Sequence, residues 1–237
     1  MNAPAHAGVT VVIPAFNAAH TIERAVASVL GQVGGAPPVI VVDDCSNDAT
    51  ATIARDLGAH VVAGVGNGPG GARNIGIQAS VTPLVAFCDA DDEWASDRLR
   101  CDLLDFSTTP DIDILLGLSR YETDDDHLLD GHHFDNDDRC ALVPHFGAAT
   151  MRTDVFDRVG LIDSTRRNFE DYEFFQRARD LGATVVEHRR VTQTRHLVAT
   201  STSHRNPPGP NDLLAVLRES VQRRRASGPD TTRKDST

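Results

Sequence analysis

Two aspartates one residue apart, Asp89 and Asp91, follow the apolar run Leu84-Val85-Ala86-Phe87. A buried strand at that run delivers both carboxylates at its mouth. Hard oxygen donors in this number suit Mg²⁺ or Mn²⁺, ions that keep several waters and reach substrate phosphates through one or two carboxylates. As a purely local feature, Asp91-Asp92-Glu93 serves equally well as an acidic cap for a following helix. Asp43-Asp44 closes a second β-branched run. It can accept hydrogen bonds from ribose hydroxyls and a base N–H, or it can simply turn a strand into a helix. Phe16, two residues past Pro14, offers a face for nucleobase stacking or a core side chain. Arg73, behind Gly68-Pro69-Gly70-Gly71, can bind a ribose or phosphate or sit on the surface. Asp171, in Glu170-Asp171-Tyr172-Glu173, can deprotonate an attacking hydroxyl; acids in a first helical turn are also favoured by the helix dipole. His196, after Thr194-Arg195, is a metal or phosphate ligand or a structural histidine.

Charge narrows these options. The 237 residues carry 34 acidic and 23 basic side chains, a net charge of −11. Nucleic-acid binding, which needs clustered Lys and Arg against phosphates, is disfavoured. A phosphorylated ligand then requires a local positive element, supplied by arginine, a helix N-terminus or a metal. Lys234 is the sole lysine, which excludes a Walker A loop and Schiff-base chemistry in the folded domain. Cys45, Cys88, Cys101 and Cys140 form no CxxC pair and read as reduced thiols of a cytoplasmic protein. No apolar run approaches the ~20 residues of a membrane span. Met1 to Gly8 lacks the basic and apolar regions of a secretion signal.

The elements that must position these residues alternate in type. Strand patterns at Val9–Ile13, Pro38–Val42, Val61–Ala63 and Leu84–Cys88 are separated by helical patterns at Ala18–Leu30, Asp48–Leu57 and Ala72–Ala79. Such alternation predicts a parallel sheet with helices on both faces. Ligands on that architecture bind at the carboxyl ends of strands, where Phe16-Asn17, Asp43-Asp44 and Asp89-Ala90-Asp91 fall. The second half is less regular. It predicts strands at Ile112–Leu118, Phe146–Met151, Ala183–Glu187 and Arg190–Thr194, and a short helix capped by Thr153. A helix is expected over Asp171–Leu181, and a long polar loop over Tyr121–Arg139. The three histidines of that loop, His127, His132 and His133, have no diagnostic ligand spacing. Beyond about Ser201 the chain is rich in Pro, Ser and Asn. An amphipathic helix over Asp212–Arg225, ending in three arginines, precedes a tail expected to be disordered. That helix suits an anionic membrane surface, a second subunit or the domain itself.

Gly66-Asn67-Gly68-Pro69-Gly70-Gly71 matches G-x-G-x-x-G, with Asp89 about 20 residues on, as a dinucleotide fingerprint asks. It follows the third strand rather than the first, and Pro69 interrupts the tight turn. A dehydrogenase-like dinucleotide binder is therefore a minor alternative. A nucleotidyltransferase wants a Gly-rich basic loop after the first strand, where this chain has Pro14-Ala15-Phe16-Asn17.

Taken in order, these pieces resemble the inverting glycosyltransferase family 2, with its GT-A fold. Val11-Val12-Ile13-Pro14-Ala15-Phe16-Asn17 is similar to the family's first strand and nucleotide loop. Val41 to Thr50 resembles the second and Gly71 to Gly76 the third. Asp89-Ala90-Asp91 resembles its DxD metal motif, and Glu170-Asp171 its ED pair. The agreement spans about residues 9 to 197. Phe16 stands where many members have Tyr, which keeps stacking and loses a hydroxyl, and Cys45 replaces a frequent Gly. The residues around His196 match the family poorly.

The resemblance implies a Rossmann-like, mostly parallel sheet flanked by helices, with a mixed C-terminal half. Residues 1–200 would form the GT-A domain, with nucleotide-sugar binding over about 9–105 and acceptor binding and catalysis over 106–200. Residues 201–237 would hold the helix and tail. It implies a nucleotide-diphosphate sugar, with uridine the favoured base, bound by Pro14, Phe16, Asn17, Asp43, Asp44, Arg73, Asp89 and Ala90. A Mn²⁺ or Mg²⁺ ion would sit on Asp91 and Asp89, with His196 a third candidate. Asp171, beside Glu170, would be the base of a single inverting displacement. The acceptor class is open among glycan, lipid-linked, peptide and small-molecule hydroxyls, and homo-oligomers are compatible. The absence of a processive synthase's extensions favours transfer of one hexosyl or N-acetylhexosaminyl unit. A non-catalytic nucleotide-sugar-binding partner subunit is the alternative within the family. The expected location is cytoplasmic, including the inner face of the membrane.

Overall fold

The computed structural model describes residues 6, 8–166, 168–198 and 210–226. Its strands are β1 (Val9–Ala15), β2 (Val39–Asp43), β3 (His60–Ala63), β4 (Leu84–Phe87), β5 (Glu93–Trp94), β6 (Ile114–Glu122), β7 (Cys140–Ala141), β8 (Ala149–Arg152) and β9 (Val185–His196). The helices are α1 (Ile22–Leu30), α2 (Thr50–Asp56), α3 (Gly68–Ala79), α4 (Arg98–Thr108), α5 (Val155–Val159), α6 (Glu170–Asp180) and α7 (Pro210–Ala226). Among the described residues the strands form one nine-stranded sheet, ordered β3-β2-β1-β4-β8-β6-β9-β5, with β7 on β6.

The first half is parallel: β1 pairs with β2 on one side and β4 on the other, and β2 with β3. Every residue of β1 and β4 is buried, which explains runs with no apolar-polar alternation: helices cover both faces. One core lies under α1 and α4, with Val9, Val11, Ile13, Ile22, Val26 and Val29. The other lies under α3, α5 and α6, with Val12, Phe87, Phe146, Phe156, Phe174 and Phe175. The order reverses at β1, since β2 and β4 flank it, and a crevice opens there past the strand ends. The second half is mixed: β8 is antiparallel to β4 and β6, while β9 is parallel to β6.

Several boundaries differ from the sequence expectation. Helix α3 begins at Gly68, not Ala72, because Pro69 sits in its first turn, where a missing N–H costs nothing. Phe146–Ala148 is a 3₁₀ turn, and strand β8 starts only at Ala149. The two short strands expected at 183–194 are one strand, β9, which passes an irregularity in its pairing near Leu118. The polar loop begins later than expected, since β6 continues to Glu122, and it contains a 3₁₀ turn at Asp126–Leu129. Helix α4 and the short strands β5 and β7 had no counterpart in the sequence reading. Helix α7 occupies 210–226, slightly longer at both ends than the expected 212–225, and the tail expected to be disordered lies outside the described residues.

The close fit of α3 on β1 has a specific cause. A Cβ on Gly76 would lie 2.2 Å from Cγ1 of Val12, so only glycine lets the helix approach this strand. Arg73 is one turn earlier on the same helix and is 3% exposed.

Candidate active site

Carboxylates leave the crevice from two directions. From the end of β4, Asp89, Asp91 and Asp92 bring ligand oxygens within 4.8 Å of one another. From the first turn of α6 come Glu170 and Asp171, behind Phe169, which takes a left-handed conformation at φ 59°. Both groups face one cleft of about 1230 Å³, whose wall also includes Pro14, Phe16, Asn17, Asp44, Arg73, Ala90, His145, Arg195 and His196. The candidate carboxylates of the two chain halves thus share a cavity. A second cavity of about 810 Å³ adjoins it at Asp91 and His196, walled by Arg120 to Asp125 and Asp137 to Arg139.

Arg73 and His145 join the two acidic groups. Arg73 donates to Oδ1 of Asp89 at 2.7 Å, and its Nη1 lies 3.7 Å from Oε1 of Glu170. Its guanidinium also sits 5.1 Å from the Phe146 ring centroid. Despite burial, the charges of Asp89, Asp171 and Glu170 raise the Arg73 pKa, and Arg73, with His145 and Arg195, holds Asp89 well below the usual carboxylate range. Nε2 of His145 lies 3.5 Å from Oδ2 of Asp89 and 3.8 Å from Oδ2 of Asp171. Its Nδ1 accepts the backbone N–H of Gly147 at 3.1 Å, with Nε2 of Gln193 at 3.0 Å. The proton therefore resides on Nε2, facing the two aspartates. Burial, with Arg195 nearby, pulls the His145 pKa down to about 4, so the ring is neutral at pH 7.

Asp171 accepts the N–H of Phe146 at 3.0 Å. Burial raises its pKa, against the lowering pull of His145 and Arg73. A buried carboxylate with a raised pKa and a cation nearby suits proton abstraction.

Asp91 is raised by burial and by Asp89, and Asp92 is raised further by the same causes despite Arg195. Among the described residues, Oδ2 of Asp92 is buried without a hydrogen bond, with Nε of Arg195 at 3.5 Å. Three crowded hard-oxygen donors, two of them resisting ionisation, match what a divalent cation relieves. The donor set fits Mg²⁺ or Mn²⁺. His196 lines the same cleft but stands outside that cluster. Its ring nitrogens lie 3.7 Å from Glu93 and 3.8 Å from Glu122, while its N–H donates to Asp92 at 3.3 Å.

At the lip of the cleft, Phe16 is 62% exposed. Asn17 has φ 49°, and its side-chain Oδ1 accepts the N–H of Asn47 at 2.9 Å. Asp44 is buried, with its two oxygens accepting the N–H groups of Gly66 and Gly68, each at 2.8 Å. Asp44 thus binds the Gly-rich loop from beneath, and those N–H groups are not open to a dinucleotide pyrophosphate, which removes the basis of the dehydrogenase-like reading. Asp43 lies one step back, its Oδ1 accepting from Ser46 N–H at 3.2 Å.

Sequence reasoning did not single out His145, Gln193, Arg195 or Asp92 for the site. Pro144-His145 carries no motif, and Asp92 read as a helix cap.

A family model described as glycosyl transferase family 2 matches residues 10–172. The succinoglycan biosynthesis protein ExoO of Rhizobium meliloti is 47% identical over 96 residues, 39% of this chain and 28% of that protein. A teichuronic acid biosynthesis glycosyltransferase of Bacillus subtilis, TuaG, is 40% identical over 98 residues, 39% of each chain. The chain therefore spans well under half the length of these relatives. Among solved structures, S. aureus TarS 1-349 in complex with UDP-GlcNAc superposes with a TM-score of 0.72 at 19% identity, over 91% of this chain and 66% of that one. A Pyrobaculum calidifontis mannosyltransferase in complex with GDP-Man and Mn²⁺ gives 0.64 at 15% identity, over 93% and 73%. These likenesses identify the fold as GT-A. With the family model covering more than half of its length, the chain belongs to glycosyl transferase family 2.

Proposed function

We propose that this chain transfers one sugar from a nucleotide-diphosphate donor to an acceptor hydroxyl, with inversion and with the help of a divalent cation. The observation that carries this reading is that Asp171 and the Asp89-Asp91-Asp92 cluster share one cleft, tied by Arg73 and His145. Phe16 stacks on the base, while Pro14 and Asn17 shape the lip beside it. Asp43 and Asp44 act on the nucleotide mainly by holding the loops around it. Asp91 and Asp89 are the cation ligands, with Asp92 beside them and His196 a further candidate. When bound, the cation supplies positive charge for the departing diphosphate.

Asp171 takes the proton of the acceptor hydroxyl as its oxygen bonds to the anomeric carbon. The bond from that carbon to the diphosphate oxygen breaks, and its electron pair leaves with the nucleoside diphosphate. One base and one displacement invert the configuration, with no carboxylate nucleophile. Glu170 sits against Arg73 and holds its charge in place. Uridine is the favoured base and a hexosyl or N-acetylhexosaminyl unit the favoured sugar, supported by the family resemblance and by the UDP-GlcNAc complex of the TarS relative. The test is a screen of UDP-, GDP- and dTDP-sugars with Mn²⁺ or Mg²⁺, reading thermal shift and nucleoside diphosphate release. Stabilisation and release with a UDP-sugar are expected; a protein that responds to none of them defeats the proposal.

A further inference from the structure

Helix α7 turns an apolar face outward. Its inner side is anchored: Val216 and Ser220 are buried, Arg166 donates to Glu219, Nε of Arg223 lies 3.2 Å from Asp180, and Nε of Arg224 lies 3.0 Å from the same carboxylate. Leu213, Leu214, Leu217 and Val221 are nevertheless 39%, 45%, 48% and 45% exposed. At 100° per residue these four fall within an arc of about 100°. Arg218 and Arg225, both exposed, border that arc on one side. The two acids of the helix, Asp212 and Glu219, belong to the inner side. In a chain of net charge −11, this stripe is apolar, bordered by arginine and free of carboxylates.

We propose that this face docks the protein reversibly on an anionic lipid bilayer. The leucines and Val221 enter the headgroup boundary, and the arginines meet lipid phosphates. A second copy fits less well. Four aliphatic side chains, each under half exposed, present far less than the about 800 Å² per partner of a standard interface, and a twofold contact would bring arginines together. Asn168, on the cleft wall, donates to Asp212 at 3.5 Å, so the start of the docking helix stands beside the mouth that admits the acceptor.

The test is flotation of the full chain with vesicles of phosphatidylcholine, alone or mixed with phosphatidylglycerol. Binding is expected only with phosphatidylglycerol, weakening as salt rises. The variants L213S/L217S/V221S and, separately, R218Q/R225Q should each lower partitioning at least tenfold without changing the melting temperature. The arginine pair keeps the test decisive if the triple variant folds poorly. Failure of the wild type to float, or undiminished flotation of a folded triple variant, overturns the proposal. So does dimerisation in light scattering that the triple variant abolishes while lipid binding is absent. Flotation needs no sugar donor, so its outcome is independent of the activity proposed above.

Discussion

Arg73 donates to Oδ1 of Asp89 at 2.7 Å with 4% and 18% of the two side chains exposed. This buried pair sets the first expectation. Arg73→Met leaves Asp89, Glu170 and Asp171 without their shared cation. Breaking a buried pair by removing one partner costs about 3–5 kcal/mol, or a fall in Tm on the order of 10 °C for a chain of this size. Arg73→Lys should recover only part of it, because a point charge cannot serve Asp89, Glu170 and the Phe146 face together. A melt unchanged in Arg73→Met would remove Arg73 from the centre of the site.

Asp171→Asn keeps the shape of the base and removes its basicity. Transfer should fall ~10²–10⁴-fold, while the donor Kd, measured by calorimetry, stays put. The pH profile carries a second mark. Burial raises the pKa of Asp171, and the charged form is the active one. The rate should therefore drop as pH falls through a value above the ordinary aspartate range near ~4. Full turnover in the Asn variant would discard the base assignment.

Asp91→Ala tests the cation without relying on turnover. Mn²⁺ should raise the Tm of the wild type, and EDTA should reverse the rise. A ligand present at ~100-fold its Kd stabilises by about 2.7 kcal/mol. The alanine variant should bind Mn²⁺ at least tenfold more weakly in calorimetry. Equal affinity in the two proteins would move the cation elsewhere.

His145 predicts the shape of acid destabilisation. Its pKa is depressed in the fold to about 4 from an ordinary 6.5. Between these values the unfolded chain binds the proton and the folded one does not, so stability falls as pH drops from about 6.5 to about 4. His145→Gln should flatten that part of the stability curve, measured by urea unfolding with EDTA present. A slope identical to the wild type would place the titration on another group.

Much of the site was legible because it stands on parallel β units. Val9–Ile13 and Leu84–Phe87 are buried on both faces, so each had to end in a polar turn at the crevice. What was missed depends on contacts distant in sequence. Helix α4 points Arg98 and Asp102 inward, where Arg98 stacks at 3.9 Å on Trp94 and donates to Ala149 O at 2.8 Å, while Thr150 donates to Asp102 at 2.7 Å. The buried face of that helix interleaves the ion pair with Leu99 and Phe106, so its apolar stripe is broken by charges. His145 is placed by Gly147 and by Gln193, 48 residues away, and no local spacing encodes that. Asp92 was visible as an acid, but its burial is fixed by Arg195 on the far strand β9.

The zero clearance between Gly76 and Val12 divides the cleft into parts with different freedom to diversify. Phe16 and His20 are exposed on the rim, so their side chains can be exchanged to retune donor preference at little structural expense. The floor has no such latitude: any side chain at position 76 would lift the segment bearing Arg73 off the sheet. Directed evolution of a new donor range should accumulate its accepted changes along the rim and leave that glycine alone.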